Sequence, residues 1–495
     1  MVARMPGGLA KQFKARARGI YAHIVCSTAP GPRGNLLLGT LPDMLRRGFF
    51  SVLMDGWRAY GDLVCFRMGS KIVYLIVRPE HVAHVLIKNR DNYTKRAHRA
   101  RPLIGDGLAA SNGELWKRQR RFLQPHFTMQ SVRSLSASMG EAANRIAERW
   151  EHYADRGEIV DIAEEMLFFA LDAICRTITG TEARVDAQGL RRAIDEAVGF
   201  VSTKSQVFRL PLALPTATNR RFKRALATID EFVYDAIARR RMSDANEGNL
   251  LSALLRASGK VGGTTIPEQL LRDEVVTLFL AGHETTARAL AWTCHLLAQH
   301  PEAEAAVHAE LDAVLDGRAA TAADAPRLRT IEYAFQETMR LYPPIWVFPR
   351  EASADDTLGG YVIPAGSTIM VSPYLTHRHP EFWDEPERFR PERFAPESAG
   401  RPIYQNSYYP FGLGPRACIG AQFALLEATI VLSTLMQRFQ LRPIPGHAVE
   451  PDFGSMLQPK GGLWMKIYHR RSNGFRAGDE KPSLHHTMNE HSRHE

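Results

Sequence analysis

The sequence predicts a mainly α protein with small β-sheets. Residues 79–315 are rich in Ala, Leu, Arg and Glu, and capping residues and prolines separate successive helical segments. Two earlier runs, LVCFRMG at 63–69 and KIVYLIV at 71–77, carry β-branched and aromatic residues around a Gly-Ser connector, which predicts a hairpin. After Arg350, glycines and prolines separate short strand-like runs until a second helical run at 419–439.

Composition and charge limit the class of protein. The chain has 495 residues, of which 45% are hydrophobic and 23% charged, which is globular composition with enough apolar residues for a sizeable core. Its net charge of +10 favours nucleic acid, anionic lipid or an acidic protein as partner. Because no nucleic-acid-binding motif is present, a nucleic-acid partner is not expected. The five cysteines form no CxxC pair, which favours a reducing compartment and predicts a cytoplasmic protein.

Both ends of the chain differ from the region between them. Residues 1–29 are basic and have no apolar run long enough for a transmembrane segment or a signal peptide. They are interpreted as a solvated arm, with weak contact to an anionic membrane surface as the alternative. Residues 471–495 are polar and are expected to be disordered. Residues 30–470 are predicted to form a single domain.

The strongest motif is the run YPFGLGPRACIGAQFA, which places Cys418 in a loop that opens a helix. Gly412 and Gly414 permit backbone angles that other residues resist, and Gly420 leaves room for a flat ligand at the start of the helix. Nearby amides and the positive end of the helix favour a thiolate at Cys418. Arg416 can reach a carboxylate of the same ligand. The alternative is a buried structural cysteine, the usual fate of a lone Cys.

This loop resembles the haem-binding loop of the cytochrome P450 family. The residues that carry the pattern F-G-x-G-x-R-x-C-x-G are Phe411, Gly412, Gly414, Arg416, Cys418 and Gly420. The resemblance extends over about 30–468. It implies the P450 fold, with haem b between a long oxygen-activating helix and the helix after the cysteine loop. It also implies that residues 30–470 are a haem-thiolate monooxygenase domain in which Cys418 binds iron.

A second motif lies in a long predicted helix from Pro267 to Gln299, which would span roughly 50 Å at about 1.5 Å per residue. Midway it reads AGHETT at 281–286, which is unfavourable for a helix interior. The composition predicts a break whose freed carbonyls hold water, with a tolerated local flaw as the alternative.

The same stretch resembles the oxygen-activating segment of P450 enzymes. The resemblance implies that Thr285 supplies the hydroxyl at the dioxygen site and that Glu284 relays protons from solvent. It implies that Ala281 and Gly282 keep space free above the iron. His283 falls at a variable position of the motif and is interpreted as structural.

A third motif pairs Glu337 with Arg340 at i, i+3 on one helix. Alone, such a pair is a common surface salt bridge of little energy. P450 enzymes combine this ExxR pair with an arginine from a later segment, here Pro391–Phe394. The resemblance therefore assigns Glu337, Arg340 and Arg393 to a buried network that holds the scaffold of the haem loop.

Several residues are candidates for contact with haem propionates. Trp116 and Arg120 lie four apart on one predicted helix, and the resemblance implies that both face the cofactor. Arg350 and Arg416 are further cationic candidates, because arginine suits an anionic carboxylate. For Arg350, a surface arginine is the alternative.

The residues predicted to line a substrate pocket are apolar. They are Phe279, Ala281, Ile345, Trp346, Val347, Phe348 and Leu457. The absence of a charged group among them predicts a lipophilic substrate, of terpenoid or fatty acyl type.

The resemblance implies insertion of one atom of dioxygen into a C–H bond or a double bond. No flavin or iron–sulfur domain is recognised in the chain, so electrons are expected from a ferredoxin or flavodoxin. The basic surplus suits such an acidic partner. One alternative is a peroxygenase that uses hydrogen peroxide, against which the Glu284-Thr285 pair argues. Another is a haem sensor without turnover, which would need neither a proton relay nor a substrate channel.

Overall fold

The structure of the protein is a computed structural model. The residues that the structure describes are 29–95, 100–180, 187–202, 211–242, 249–258, 267–396 and 403–470. The predicted N-terminal arm, apart from Ala29, and the predicted tail lie outside them.

Helices dominate the described residues, as predicted. The α-helices are α1 (Leu41–Arg47), α2 (Phe49–Tyr60), α3 (Pro79–Ala83), α4 (Arg101–Ile104), α5 (Gly113–Leu123), α6 (Met129–Ser134), α7 (Ser136–Arg156), α8 (Ile162–Thr179), α9 (Ala187–Ser202), α10 (Ala217–Met242), α11 (Leu250–Ser258), α12 (Glu268–Gln299), α13 (Pro301–Leu315), α14 (Arg329–Leu341), α15 (Pro373–Thr376) and α16 (Ala421–Arg438).

The strands are short and form small sheets, which confirms the predicted fold class. They are β1 (Leu63–Met68), β2 (Lys71–Ile76), β3 (Tyr93–Thr94), β4 (Ile159–Asp161), β5 (Phe348–Ala352), β6 (Asp356–Leu358), β7 (Tyr361–Ile363), β8 (Thr368–Val371), β9 (Phe439–Pro443), β10 (Pro451–Phe453), β11 (Leu457–Pro459) and β12 (Trp464–His469). The largest sheet has the order β1-β2-β8-β5-β3, and β4-β12-β9 form a second. β1 and β2 form the predicted antiparallel hairpin, with Leu63 opposite Ile76.

Helix α12 runs through the main core. It packs against α8, α10, α14 and α16, and it is buried on both sides of its middle, over Leu271–Phe279 and over most of Thr286–Leu297. Its bounds, Glu268–Gln299, agree with the predicted long helix. The predicted break is absent, since the helix is continuous over all 32 residues. The hydroxyl groups of Thr285 and Thr293 bond back to carbonyls one turn earlier, and so they are satisfied without interrupting the helix.

Cys65 is disulfide-bonded, which the spacing of the five cysteines did not predict. Cys175, Cys294 and Cys418 are free. Among the described residues, no helix combines the length and apolarity that crossing a membrane requires.

Candidate active site

The loop before α16 holds Cys418 through its own backbone. The Cys418 amide donates a hydrogen bond to the Phe411 carbonyl at 2.7 Å. Gly412 and Gly414 have φ angles of 75° and 69°, in the left-handed region that favours glycine. A Cβ at Gly414 would also lie 2.1 Å from the Leu86 carbonyl oxygen. The loop therefore needs glycine at Gly414 both for its turn and for its contact with the rest of the fold.

The Cys418 thiol faces an enclosed space. Cys418 has accessible surface. The protein atoms around its thiol nevertheless shield the thiol from bulk water, and this burial raises the pKa of the thiol above its usual value. The Gly420 amide, Arg120 and Lys95 act in the opposite direction. A Cβ at Gly420 would lie 3.9 Å from the Cys418 sulfur, which is an ordinary contact distance. Because glycine has no side chain, it leaves the space next to the sulfur open. Coordination to a metal ion would deprotonate such a thiol.

Four cations surround this loop. They are Lys95, Arg120, Arg350 and Arg416, and none of them pairs with a carboxylate within the described part of the chain. Burial lowers the pKa of Arg350 to about 10. Burial also lowers the pKa of Arg416 to about 10, and the positive charges of Arg350 and Arg120 add to this shift. The pKa of Lys95 falls to about 8 through burial and through the charges of Arg350 and Arg416. A buried group of like charges calls for an anionic ligand, and the two propionates of haem fit this requirement.

Helix α5 joins the cysteine loop through the two residues that the sequence predicts to face one ligand. Arg120 donates to the Ala417 carbonyl at 2.9 Å. The Arg416 guanidinium stacks 3.9 Å from the centre of the Trp116 ring. Arg416 also donates to the Ser111 carbonyl at 3.0 Å and to the Asn112 side chain at 2.9 Å. The structure thus brings Trp116, Arg120 and Arg416 together.

The middle of α12 presents accessible surface inside an otherwise buried helix. Ala281 is exposed, and the Thr285 hydroxyl donates to its carbonyl at 2.5 Å. Gly282 faces elsewhere, since a Cβ there would lie 2.7 Å from Ile174 of α8. The missing side chain of Gly282 therefore allows close helix packing, which is a different role from the predicted one of keeping space above the iron. His283 also faces α8, where its Nε2 lies 3.1 Å from the Leu167 carbonyl, in keeping with a structural role.

Glu284 belongs to a chain of charged residues. Its carboxylate lies 3.6 Å from Arg288, and burial raises its pKa, while Arg288 opposes that shift and Asp195 adds to it. Asp195 lies 3.8 Å from Arg191, which pairs with Glu164. The Glu164 side chain is exposed. Charged groups therefore connect the helix beside Thr285 with the protein surface through α9 and α8.

A second carboxyl beside α12 was not predicted. Glu427 of α16 lies within hydrogen-bonding reach of the Thr286 hydroxyl, and burial raises its pKa to about 8. It links the helix after Cys418 to the residue next to Thr285. Nothing in the local sequence indicates this contact, because it depends on how two distant helices cross.

Glu337, Arg340 and Arg393 meet in a buried network. Arg340 contacts both carboxylate oxygens of Glu337, at 2.7 and 2.8 Å, and Arg393 contacts one of them at 2.9 Å. The side chains of Glu337 and Arg340 have no accessible surface. Arg340 also donates to the carbonyls of His377, Pro386 and Arg388. All its donors are therefore satisfied away from water.

His377 connects this network to the haem loop. Its Nε2 accepts a hydrogen bond from the Tyr409 amide at 2.9 Å, so the ring is neutral with Nδ1 protonated. Its Nδ1 lies 3.3 Å from the Arg340 carbonyl. Burial and the charge of Arg340 lower the pKa of His377 well below its usual value. Tyr409 opens the run that carries Cys418, so the network supports the loop through His377, which no sequence motif indicates.

The predicted pocket residues fall into two groups. Ile345, Val347 and Phe348 are half-buried and keep the accessible surface that a pocket wall needs. Phe279, Trp346 and Leu457 are 3%, 3% and 0% exposed. The Trp346 ring packs against an aromatic cluster around Phe50 and Phe453 of α2 and β10. Burial does not support a place in the pocket for these three residues, because a wall residue would face open space.

The loop has an accessible thiol, its cations have no carboxylate partner among the described residues, and a threonine lies at the accessible middle of a long helix. Together these features fit a haem-thiolate protein. A profile of the cytochrome P450 family matches residues 29–466. The chain is 37% identical over 426 residues to a cyclooctat-9-en-7-ol 5-monooxygenase from Streptomyces melanosporofaciens, covering 85% of this chain and 91% of that protein. It is 33% identical over 430 residues to pentalenene oxygenase from Streptomyces avermitilis, covering 86% and 94%.

The fold agrees with this similarity. The crystal structure of the cytochrome P450DA haem domain matches with a TM-score of 0.80 at 27% identity, covering 90% of this chain and 98% of that one. The chain belongs to the cytochrome P450 family and is a monooxygenase whose cofactor is a haem with a thiolate-bound iron.

Proposed function

We propose that the protein hydroxylates or epoxidises a cyclic terpenoid, with haem b as cofactor. Two relatives that it matches over most of their length bear the names of terpenoid oxygenases. The half-buried apolar residues Ile345, Val347 and Phe348 suit such a substrate, since they offer contact without charge. The observation that carries the proposal is the accessible Cys418 thiol beside four cations that form no ion pair with a described carboxylate, which together suit the two propionates of a haem.

The proposal gives each part of the site a role. Lys95, Arg120, Arg350 and Arg416 would hold the propionates, and the Cys418 sulfur would bind the iron. When bound, haem supplies the activation of dioxygen, which thiolate ligation favours. The residues of α12 supply protons, since the raised pKa of Glu284 lets its carboxyl hold a proton closer to neutral pH.

The charged chain beyond Glu284 suits proton entry. Arg288 holds the Glu284 carboxylate on one side, and Asp195, Arg191 and Glu164 continue from it to the exposed surface. The Thr285 hydroxyl, now bonded to the Ala281 carbonyl, is free to donate after a rotation about its χ1 angle. Thr285 and Glu284 are thus proposed as the catalytic pair.

The substrate class is tested by spectral titration. Cyclic terpenoid hydrocarbons and alcohols are expected to shift the spin state of the ferric protein, whereas fatty acids of equal carbon number are not. With reductant and an electron donor, the product should carry labelled oxygen that comes from dioxygen and not from water. Shifts confined to fatty acids would contradict the terpenoid assignment, and an unlabelled product would contradict monooxygenation.

Thr285→Ala is expected to uncouple reductant use from product formation, because it removes the hydroxyl that is adjacent to Glu284. Reductant and dioxygen should still be consumed, with hydrogen peroxide replacing most of the product. Thr293→Ala is the matched control, since Thr293 lies on the same helix and also bonds back to a carbonyl, that of Ala289 at 2.8 Å. Equal coupling in the two variants would show that Thr285 has no part in proton delivery.

We propose that an acidic ferredoxin or flavodoxin delivers the electrons at α5. Lys117 and Arg121 are exposed on this helix, while Arg120 of the same helix contacts the cysteine loop. Lys117 pairs with Glu114 at 2.8 Å, whereas Arg121 forms no ion pair with a carboxylate among the described residues. Their helix therefore offers positive charge close to the thiolate.

Replacing Lys117 and Arg121 with Glu is expected to slow first-electron transfer, with substrate binding unchanged. The wild-type rate should fall as ionic strength rises, because the Debye length is only about 8 Å at physiological salt. Arg220→Glu with Lys223→Glu makes the same charge change at exposed positions of α10 and serves as the control. A wild-type rate for the α5 variant at low salt would place docking elsewhere.

A further inference from the structure

The turn Asn35–Gly39 exposes three successive leucines, and we name it the leucine turn. Leu36 and Leu37 are each 79% exposed and Leu38 is 48% exposed. Leu36 and Leu37 are the most exposed leucines among the described residues. Single exposed apolar residues are common, but a contiguous group marks a site of interaction.

Hydrogen bonds hold this turn in shape. Asn35 and Gly39 exchange two backbone hydrogen bonds of 2.8 Å, and the Asn35 side chain accepts from the amides of Leu37 and Leu38. Arg67 of β1 donates to the carbonyls of Asn35, Leu36 and Leu37. The leucines are therefore presented by a fixed, convex turn, and their exposure is a property of the fold.

Positive charge surrounds the leucine turn. Arg33 and Lys71 are exposed, and the Gly69 amide before Lys71 donates to the Leu38 carbonyl at 3.0 Å, which places the β1–β2 turn beside the leucines. Within the described ranges, Arg33, Lys71 and Arg67 form no ion pair with a carboxylate. The nearby Arg46 and Arg47 are paired with Asp43 and Asp55. The local charge is thus net positive around an apolar tip.

We propose that the leucine turn is an anchor that inserts into the surface of an anionic lipid bilayer. A convex apolar turn can insert into the interface of a bilayer, because lipids rearrange around it. The positive charges of Arg33, Lys71 and Arg67 around the turn complement anionic headgroups. Binding to an apolar groove on a protein partner would not require positive charges all around the leucines. The anchor would hold the enzyme at a membrane surface by a few side chains, with its helices outside the bilayer.

The experiment is cosedimentation of the full-length haem protein with vesicles of phosphatidylglycerol and phosphatidylcholine. Wild type is expected to bind these vesicles more strongly than vesicles of phosphatidylcholine alone. Leu36→Ser with Leu37→Ser should weaken binding about tenfold or more, since two apolar side chains leave the lipid. Arg33→Gln with Lys71→Gln should remove the preference for phosphatidylglycerol. The carbon monoxide spectrum of each variant reports whether it is folded.

The matched control is Ile159→Ser with Met242→Ser, which changes residues that are 51% and 86% exposed in other parts of the fold. This variant should bind vesicles like wild type. The proposal is overturned if wild type does not bind vesicles, or if the leucine variant binds as well as wild type. It is also overturned if wild type is a dimer in sedimentation velocity and the leucine variant is a monomer, because a second copy would then cover the turn.

Discussion

Cys418→His is expected to abolish oxygenation and to move the Soret band of the reduced carbon monoxide complex. Wild type should show the long-wavelength band of thiolate-ligated haem, because the Cys418 thiol is accessible and lies within the influence of Arg120 and Lys95. Imidazole ligation would shift this band to shorter wavelength and withdraw the electron donation that favours O–O cleavage. The measurement is a difference spectrum together with turnover of the terpenoid identified by titration.

Cys294→Ala is the control for this substitution. Cys294 is free, like Cys418, but it is buried in α12, where burial raises the pKa of its thiol. This variant should keep the wild-type band. A wild-type band already at the imidazole position, or an unchanged band in Cys418→His, would contradict the assignment of Cys418 as the iron ligand.

Glu337→Ala is expected to yield a protein that loses haem and melts at lower temperature. The substitution leaves Arg340 buried without its carboxylate, and such a loss costs about 3–5 kcal/mol. A typical free energy of unfolding is only about 5–15 kcal/mol. The loop that carries Cys418 loses support at the same time, because Arg340 leads through His377 to Tyr409. Haem content per protein and thermal melting are the measurements.

Glu332→Ala is the matched control on the same helix. Glu332 pairs with Arg329 at i, i+3, but the Arg329 side chain is 55% exposed. An exposed pair contributes about 0–1 kcal/mol, so this variant should retain haem and melt near wild type. Full haem occupancy and normal melting in both Glu337→Ala and Arg340→Ala would refute the buried network.

The features that the sequence predicted are local or carried by motifs. The β1–β2 hairpin follows from β-branched and aromatic residues on both sides of Gly69 and Ser70, because a tight turn fixes its own register. The bounds of helix α12 follow from helix-forming residues on both sides of the AGHETT run, although that run itself was expected to break the helix. The meeting of Glu337 and Arg393 rested on the family motif, since 56 positions separate them along the chain.

The features that were missed depend on tertiary contacts. Lys95 follows the short strand β3 in a stretch without a motif, and only folding brings it beside Arg350 and Arg416. His377 and Glu427 likewise acquire their partners from distant elements. The expected break in α12 failed for a physical reason, because the Thr285 hydroxyl satisfies the Ala281 carbonyl without loss of the helix.

The four cations around Cys418 come from four separate stretches of the chain. Lys95 follows β3, Arg120 lies on α5, Arg350 on β5 and Arg416 in the cysteine loop. Without a counter-ion these stretches repel one another, and each guanidinium or ammonium raises the free energy of bringing in the next. The two carboxylates of a haem would replace this repulsion with attraction, and so they would stabilise all four stretches together. Binding of the cofactor and ordering of these stretches would then be one coupled equilibrium, and loss of haem is expected to loosen all four stretches together.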